Sequence, residues 1–263
     1  CGNDPIHQLP TFFEYQAIET GWQATSDWAV PQDLPNLQIR TGVRFADFNN
    51  DGLPDTLKGY ANRTSDDVWV YTYQAWINNG NSWEIASDKW NPPTHFCYRK
   101  EVDGVIKYED LGVELGDLNA DGLIDIFQIY SSDIIIWFNT GDGWATSPDT
   151  SWSKPDGMPD LDDYGCRVAD VNGDGRVDIL QGYLRTGSSS SSSYKEVWIN
   201  NGNGWDLDDS WELPVYFTEK DETEIPHWVG DKDVAIADAN GDGFPDIIEE
   251  RKGVWINTGQ GWE

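Results

Sequence analysis

Four copies of an acidic loop, four copies of a Trp- and Asn-rich hairpin and a near-constant spacing between them predict an all-β chain, a β-propeller of four blades. The loops run Asp47–Asp55, Asp117–Asp125, Asp170–Asp178 and Asp238–Asp246, and all obey D-x-N-x-D-G-x-x-D. The hairpins are "WINNGNSW" (76–83), "WFNTGDGW" (137–144), "WINNGNGW" (198–205) and "WINTGQGW" (255–262). Their closing residues set the period: Trp83, Trp144 and Trp205 are 61 residues apart, and Trp262 follows after 57.

Each element within a repeat reads as a strand. The segments "VRFAD", "VELGD", "CRVAD" and "VAIAD" lead into the acidic loop, and "TLKGY", "IFQIY", "ILQGY" and "IIEE" leave it. They are short, rich in β-branched and aromatic residues, and show no helical period. A third strand ends at the Trp-x-Asn triplet, where Asn-Gly or Thr-Gly gives tight-turn chemistry. A fourth begins at the closing Trp. Four antiparallel strands in about 60 residues make a propeller blade.

The two ends of the sequence complement one another. Trp22 precedes Trp83 by the same 61 residues, and Trp28 matches Trp90, Trp152 and Trp211, each closely followed by Pro. The chain thus opens on the tail of a repeat and ends on a repeat lacking that tail. Residues 1–19 read as an N-terminal extension and 20–263 as the propeller, with the N-terminal strand closing the ring. Thirteen of the 15 Trp residues lie in register with the repeats, which assigns them to the packing between blades. Trp69 and Trp228 fall outside the register and are the candidate ligand-stacking residues.

Charge and composition narrow the partners. The chain of 263 residues has 47 acids against 17 bases, a formal charge of −30. Nucleic acid and anionic membrane both require basic patches, so neither is expected. No run of 18 apolar residues is present to span a bilayer. Cys1, Cys97 and Cys166 form neither a disulfide framework nor a metal pair. Cys166 takes the place of Val43, Val113 and Val234 and reads as a small hydrophobe. Cys1, in "CGNDP", matches the start of a mature bacterial lipoprotein and is the candidate lipid anchor; a boundary that happens to fall at Cys is the plainer reading.

The acidic loop is the main chemical signal. Oxygens at positions 1, 3, 5 and 9, with Gly at 6 for the sharp reversal, suit a hard cation wanting six or seven oxygens. The candidate calcium ligands are Asp47, Asn49, Asp51 and Asp55; Asp117, Asn119, Asp121 and Asp125; Asp170, Asn172, Asp174 and Asp178; and Asp238, Asn240, Asp242 and Asp246. Up to four calcium ions are expected. An EF-hand does not fit, because its twelfth position should be Glu and here holds Lys58, Gln128, Gln181 or Glu249, between strands rather than helices. Magnesium needs fewer protein oxygens, and three carboxylates per loop repel a phosphate. The competing reading is an Asx-turn, in which Asp and Asn serve only backbone hydrogen bonds. Ala120 holds position 4 of the second loop, where Gly173 and Gly241 stand in the third and fourth, so that loop is the most strained.

These loops resemble the FG-GAP or VCBS-type repeats, the calcium-binding blades of the integrin α-subunit head. With the Trp-Asn-Gly hairpin they are most similar to a Trp-rich variety found in bacterial surface and toxin-complex proteins. The resemblance covers about residues 20–263. It implies a β-propeller with calcium in its blade hairpins and a binding or scaffold role outside the cell or at its surface. Family propellers often have about seven blades. Four repeats are compatible with a four-bladed ring, two chains sharing an eight-bladed ring, or part of a longer propeller; the matched N-terminal offset favours the first.

No nucleophile motif, zinc-protease helix or phosphate-binding loop is present, and His7, His95 and His227 lie in unrelated contexts. The chain is therefore read as non-enzymatic. One functional reading is an adhesion or surface-scaffold module whose partner is a protein or glycan at a cell surface, with self-assembly as one outcome. Its specificity would sit on loops that differ between blades, at residues 61–68, 95–110, 184–195 and 216–232. The alternative is a lectin whose sugars stack on aromatic grooves between blades, with Trp69 or Trp228 exposed.

Overall fold

In a computed structural model the chain is a β-propeller of four blades. The structure describes residues 42–63, 68–102, 105–131, 133–161, 165–186, 192–221, 228–231, 233–250 and 252–263. Cys1, His7, Trp22, Trp28 and the proposed closing strand lie outside the described residues, as does His227.

Blade 1 is a meander of β1 (Val43–Ala46), β2 (Asp55–Arg63), β3 (Trp69–Asn78) and β4 (Trp83–Ile85), all antiparallel. β1 pairs only the first half of β2, Asp55 to Lys58. The remaining edge of β2, Tyr60 to Asn62, is taken in parallel by β5 (Cys97–Val102), which turns back into β6 (Val105–Asp110). The predicted loop 95–110 is therefore mostly a two-stranded extension of the blade.

The second blade holds β7 (Val113–Gly116), β8 (Asp125–Tyr130) and β9 (Asp133–Trp137). Its fourth strand shrinks to two isolated bridges, Asn139 with Trp144 and Ile136 with Asp149. Blade 3 repeats the pattern of blade 1, with β10 (Cys166–Ala169), β11 (Asp178–Thr186), β12 (Ser192–Asn200) and β13 (Trp205–Leu207), plus the hairpin β14 (Thr218–Asp221) and β15 (Trp228–Asp231) on the far half of β11. Blade 4 repeats the second, with β16 (Val234–Ala237), β17 (Asp246–Glu249), β18 (Gly253–Trp255) and one bridge from Asn257 to Trp262.

The described strands thus alternate between large and small blades. Residues 184–195 and 216–232, expected as loops, hold the ends of β11 and β12 and the hairpin β14–β15. The six serines from Ser188 to Ser193 connect β11 to β12, and the last two already belong to β12. Long strands in blades 1 and 3 leave half an edge unpaired by the meander, and the extra hairpin satisfies those backbone groups.

Apolar side chains gather in three clusters, one at each seam between consecutive blades. Repeated Trp residues take part in all three. Trp90 meets Trp144 edge-on at 5.8 Å, Trp152 meets Trp205 at 5.0 Å, and Trp211 meets Trp262 at 5.7 Å. In each pair the first ring follows one blade and the second closes the hairpin of the next, so these six Trp residues pack between blades. Gly116 lets the second and third blades approach closely: a Cβ there would sit 2.7 Å from Val177. Cys97 is buried, and burial pushes its thiol up to about 12. Cys166 is half-buried against the seam between blades 2 and 3, its Sγ 3.5 Å from the Asp160 carbonyl.

Candidate functional site: the acidic loops and their latch

Each acidic loop joins the first two strands of its blade and folds around its own side chains. In the first loop the Asp47 carboxylate accepts the N–H groups of Asp51 at 3.1 Å and Gly52 at 2.8 Å. Asn49 Oδ1 accepts the Asp51 N–H at 3.0 Å, and Asp51 Oδ1 accepts that of Leu53 at 2.9 Å. The same bonds recur from Gly122 to Asp117 at 2.7 Å, Gly175 to Asp170 at 2.8 Å and Gly243 to Asp238 at 3.0 Å. Asp121, Asp174 and Asp242 likewise accept the N–H groups of Leu123, Arg176 and Phe244, each at 2.9 Å. Asn119, Asn172 and Asn240 cap the N–H groups of those same aspartates within 2.9 Å.

The turn requires a left-handed residue at position 4. Asn50 has φ 60°, Ala120 61°, Gly173 74° and Gly241 81°. Ala is the worst suited of these, so the expected strain in the second loop is present. An Ala in this region costs about 1 kcal/mol or more, whereas Gly loosens the unfolded chain by roughly 0.4–1 kcal/mol. Ala120→Gly is accordingly expected to raise stability by about 0.5 kcal/mol in chemical denaturation, and a clear loss would show that the backbone here is not strained.

The ninth residue has a different environment from the first five. Asp55, Asp125, Asp178 and Asp246 are fully buried. Their Oδ1 atoms accept the backbone N–H groups of Asn78, Asn139, Asn200 and Asn257, each at 2.8 Å. Oδ2 of Asp125, Asp178 and Asp246 accepts the N–H groups of Leu118, Val171 and Ala239 at 3.1, 3.0 and 2.9 Å. Asp55 Oδ2 has no such partner. Burial raises the carboxyl of Asp55 to about 6 and those of Asp125 and Asp178 to about 7. The hydrogen bonds from the hairpin Asn pull down, and the charges at positions 1 and 5 push up again.

The Asn of each Trp-x-Asn triplet, read from sequence only as turn chemistry, is the residue that joins loop to blade. Asn139 Nδ2 donates to the Phe48 carbonyl of the preceding blade at 2.8 Å and to Ile124 of its own at 3.1 Å. Asn200 bridges Leu118 and Val177, and Asn257 bridges Val171 and Pro245, in the same way. Asn78 donates to Pro54 of its own blade at 3.2 Å. Each Oδ1 also caps the Gly two residues on. The acceptors Phe48, Leu118 and Val171 are position 2 of the preceding acidic loop, so these three latches tie a hairpin to its neighbour's loop.

The loops fit a hard cation in their chemistry. Their donors are all oxygen, they carry three negative charges if position 9 is ionised, and a carboxylate oxygen that accepts one N–H keeps a second lone pair. Among the described residues no three acidic, His or Cys side chains gather closely enough to grip an ion alone, so the Asn carboxamide and backbone carbonyls are needed to complete a set. In the third loop Arg176 Nη2 lies 2.6 Å from Asp174 Oδ2 and competes for that carboxylate. A basic residue at position 7 was the available sequence signal, and none of the other three loops has one.

Of the two out-of-register Trp residues, Trp69 is half-buried on β3 with its ring 4.8 Å from Tyr98. The side chain of Trp228 lies outside the described set. The contacts continue from Tyr98 to His95 at 5.1 Å, to Tyr71 at 5.4 Å and to Tyr73 at 6.3 Å, forming an aromatic run on blade 1.

A family model for the FG-GAP-like repeat matches residues 117–180, from the first Asp of the second loop to the strand after the third. The chain carries an FG-GAP-like repeat. The same order of loop, strands and hairpin recurs in the other blades. Similar solved structures include an Agrocybe aegerita lectin that recognises non-reducing terminal N-acetylglucosamine, at 20% identity and a TM-score of 0.45, over 84% of this chain and 51% of that one. Another is the Photorhabdus luminescens Tc holotoxin pore, at 19% identity and a TM-score of 0.38, over 84% of this chain and 12% of that one. This chain therefore spans about half the length of the lectin and about an eighth of the toxin chain. No curated protein matches the sequence. Among the described residues no helix is long and apolar enough to cross a membrane.

Proposed function

We propose that this chain is a calcium-stabilised, non-enzymatic interaction module that works outside the cell or at its surface, in adhesion or as part of a surface scaffold. The observation that carries the reading is the coupling of the first three acidic loops to the following blade through a buried Asn, beside the buried Asp that each loop contributes. Asp170, Asn172 and Asp174 would hold an ion in the third loop, and the equivalent residues in the others. A bound cation supplies positive charge where carboxylates at positions 1, 5 and 9 repel one another. Because the latch acceptor is position 2 of the same loop, order in the loop is passed to the seam. The partner surface then differs between large and small blades, with the hairpins β5–β6 and β14–β15 supplying the features that the small blades lack.

The test is a thermal melt in calcium, in magnesium and in chelator, with metal analysis of the purified chain. At a few millimolar calcium and a dissociation constant near 10⁻³–10⁻⁴ M, each occupied loop stabilises by about 1–2 kcal/mol. A calcium-specific rise with three or four ions per chain is the expected outcome. No rise and no bound metal would reduce the loops to Asx-turns.

The aromatic run from Trp69 to Tyr73 favours a second reading, a lectin, because stacked rings beside polar groups suit sugar faces. Tyr71 is 52% exposed within it. A glycan array decides between the two: binding that Trp69→Ala abolishes supports the lectin, and a blank array with a captured protein partner supports the scaffold.

A further inference from the structure

The two large blades share one architecture but reverse the charge of one cross-strand pair. In blade 1 Lys58 on β2 faces Gln74 on β3. At the same register in blade 3, Gln181 on β11 faces Glu196 on β12. The surrounding rings are kept, since Tyr60 and Trp76 correspond to Tyr183 and Trp198. In blade 1 the Lys58 ammonium lies 5.6 Å from the centroids of both Tyr60 and Trp76. It is a cation seated on two aromatic faces, a contact that is stronger the more it is shielded from water.

Blade 3 keeps this seat but not the cation. Gln181 is shorter than Lys and neutral, and a cleft of about 510 Å³ opens over the same face of the sheet. Tyr183 and Trp198 form its floor, and Tyr194, 40% exposed and stacked on Tyr183 at 6.3 Å, forms one wall. The acid that replaces Gln74, Glu196, is half-buried in the lining, which also includes Asp156. Burial raises the Glu196 carboxyl above the usual glutamate range, a hydrogen bond with the Trp198 side chain pulls it down, and repulsion from Asp209 raises it again. Arg185 also lines the cleft, where blade 1 has Asn62, so the lining carries two acids against one base.

We propose that the blade 3 cleft receives a primary alkylammonium group, the group at the end of a lysine side chain. Lys58 shows within the same molecule what the seat holds when it is filled. The ligand ammonium takes the place of the Lys58 Nζ, pairs with Glu196 and lies against the Tyr194 and Tyr183 rings. The alkyl stem runs out past Leu207, which is 43% exposed. The overall charge of −30 draws such cations to the surface, and the cleft gives one of them a defined seat.

The experiment follows the Trp198 indole N–H signal by NMR in the full chain, assigned with Trp198→Phe, while n-butylammonium or n-butanol is added. A peptide with one lysine, its Nε-acetylated form and spermidine are compared in the same way. The expected result is a saturable shift with butylammonium and the lysine peptide, and none with butanol or the acetylated peptide. Glu196→Gln should weaken binding by about tenfold, the scale of one charge-assisted hydrogen bond. Gln181→Lys, which supplies the internal cation, should abolish the shift while the melting temperature holds. A lysine peptide that binds more tightly than spermidine identifies a protein partner as the source, and the reverse order a free polyamine. The proposal is overturned by equal shifts from the neutral compounds, by a Gln181→Lys chain that still binds, or by no saturable shift at Trp198.

Discussion

Trp205→Ala is expected to destabilise the chain by about 4 kcal/mol, the scale of removing a buried Trp from a well-packed core. The ring is 1% exposed and sits at the seam of blades 2 and 3. It meets Trp152 at 5.0 Å and Phe127 at 5.9 Å, and its indole N–H donates to the Val177 carbonyl at 3.2 Å. The substitution therefore opens a cavity between blades and takes one of two donors from the Val177 carbonyl, which keeps the Asn200 side chain. Trp205→Phe keeps much of the volume and loses the hydrogen bond, so it should cost about half as much. Urea denaturation measures both. A loss below about 1 kcal/mol for Trp205→Ala would mean that the seams do not carry the stability of the fold.

The sequence made the propeller legible because its blades are built on one plan. The pairing of Trp90 with Trp144, and of Trp152 with Trp205, follows from their repeated positions: a residue that recurs once per blade faces the same neighbour each time. The hairpins β5–β6 and β14–β15 were not legible for the complementary reason. They occur in alternate blades only, so no period marks them, and residues 95–110 read as a loop although Lys100 pairs with Glu109 across two regular strands. The acidic loops were legible as oxygen-rich turns, and the left-handed backbone at Ala120 followed from the alignment of four copies. Their connection to the next blade was not. Asn-Gly is so strong a turn signal that it hides the second task of the Asn side chain, a bond to a carbonyl 82 residues away in the case of Asn200. Asp160 shows the same limit on a smaller scale: it belongs to no repeated motif, yet it is ion-paired with Lys154.

The latch itself yields the second large effect. Asn200→Ala removes two donations, to Leu118 across the seam at 3.1 Å and to Val177 at 3.3 Å, and the cap on the Gly202 N–H at 2.8 Å. Asn200 is fully buried, so water cannot replace these partners without opening the seam. The Val177 carbonyl keeps the Trp205 indole as donor, so at about 1 kcal/mol or more for each of the two groups left unpaired the expected loss is roughly 2 kcal/mol. Asn78→Ala is the internal control. It removes the donation to Pro54 and the cap on Gly80 but, among the described residues, no bond to another blade, and should cost roughly 1–1.5 kcal/mol less. In both variants the backbone N–H that binds the ninth-position Asp is retained, so the difference isolates the side-chain bond across the seam. Equal losses in urea denaturation would show that this bond adds nothing to the joining of blades. The predicted gap would show that a loop able to bind a cation is fastened, through one carboxamide, to the blade that follows it.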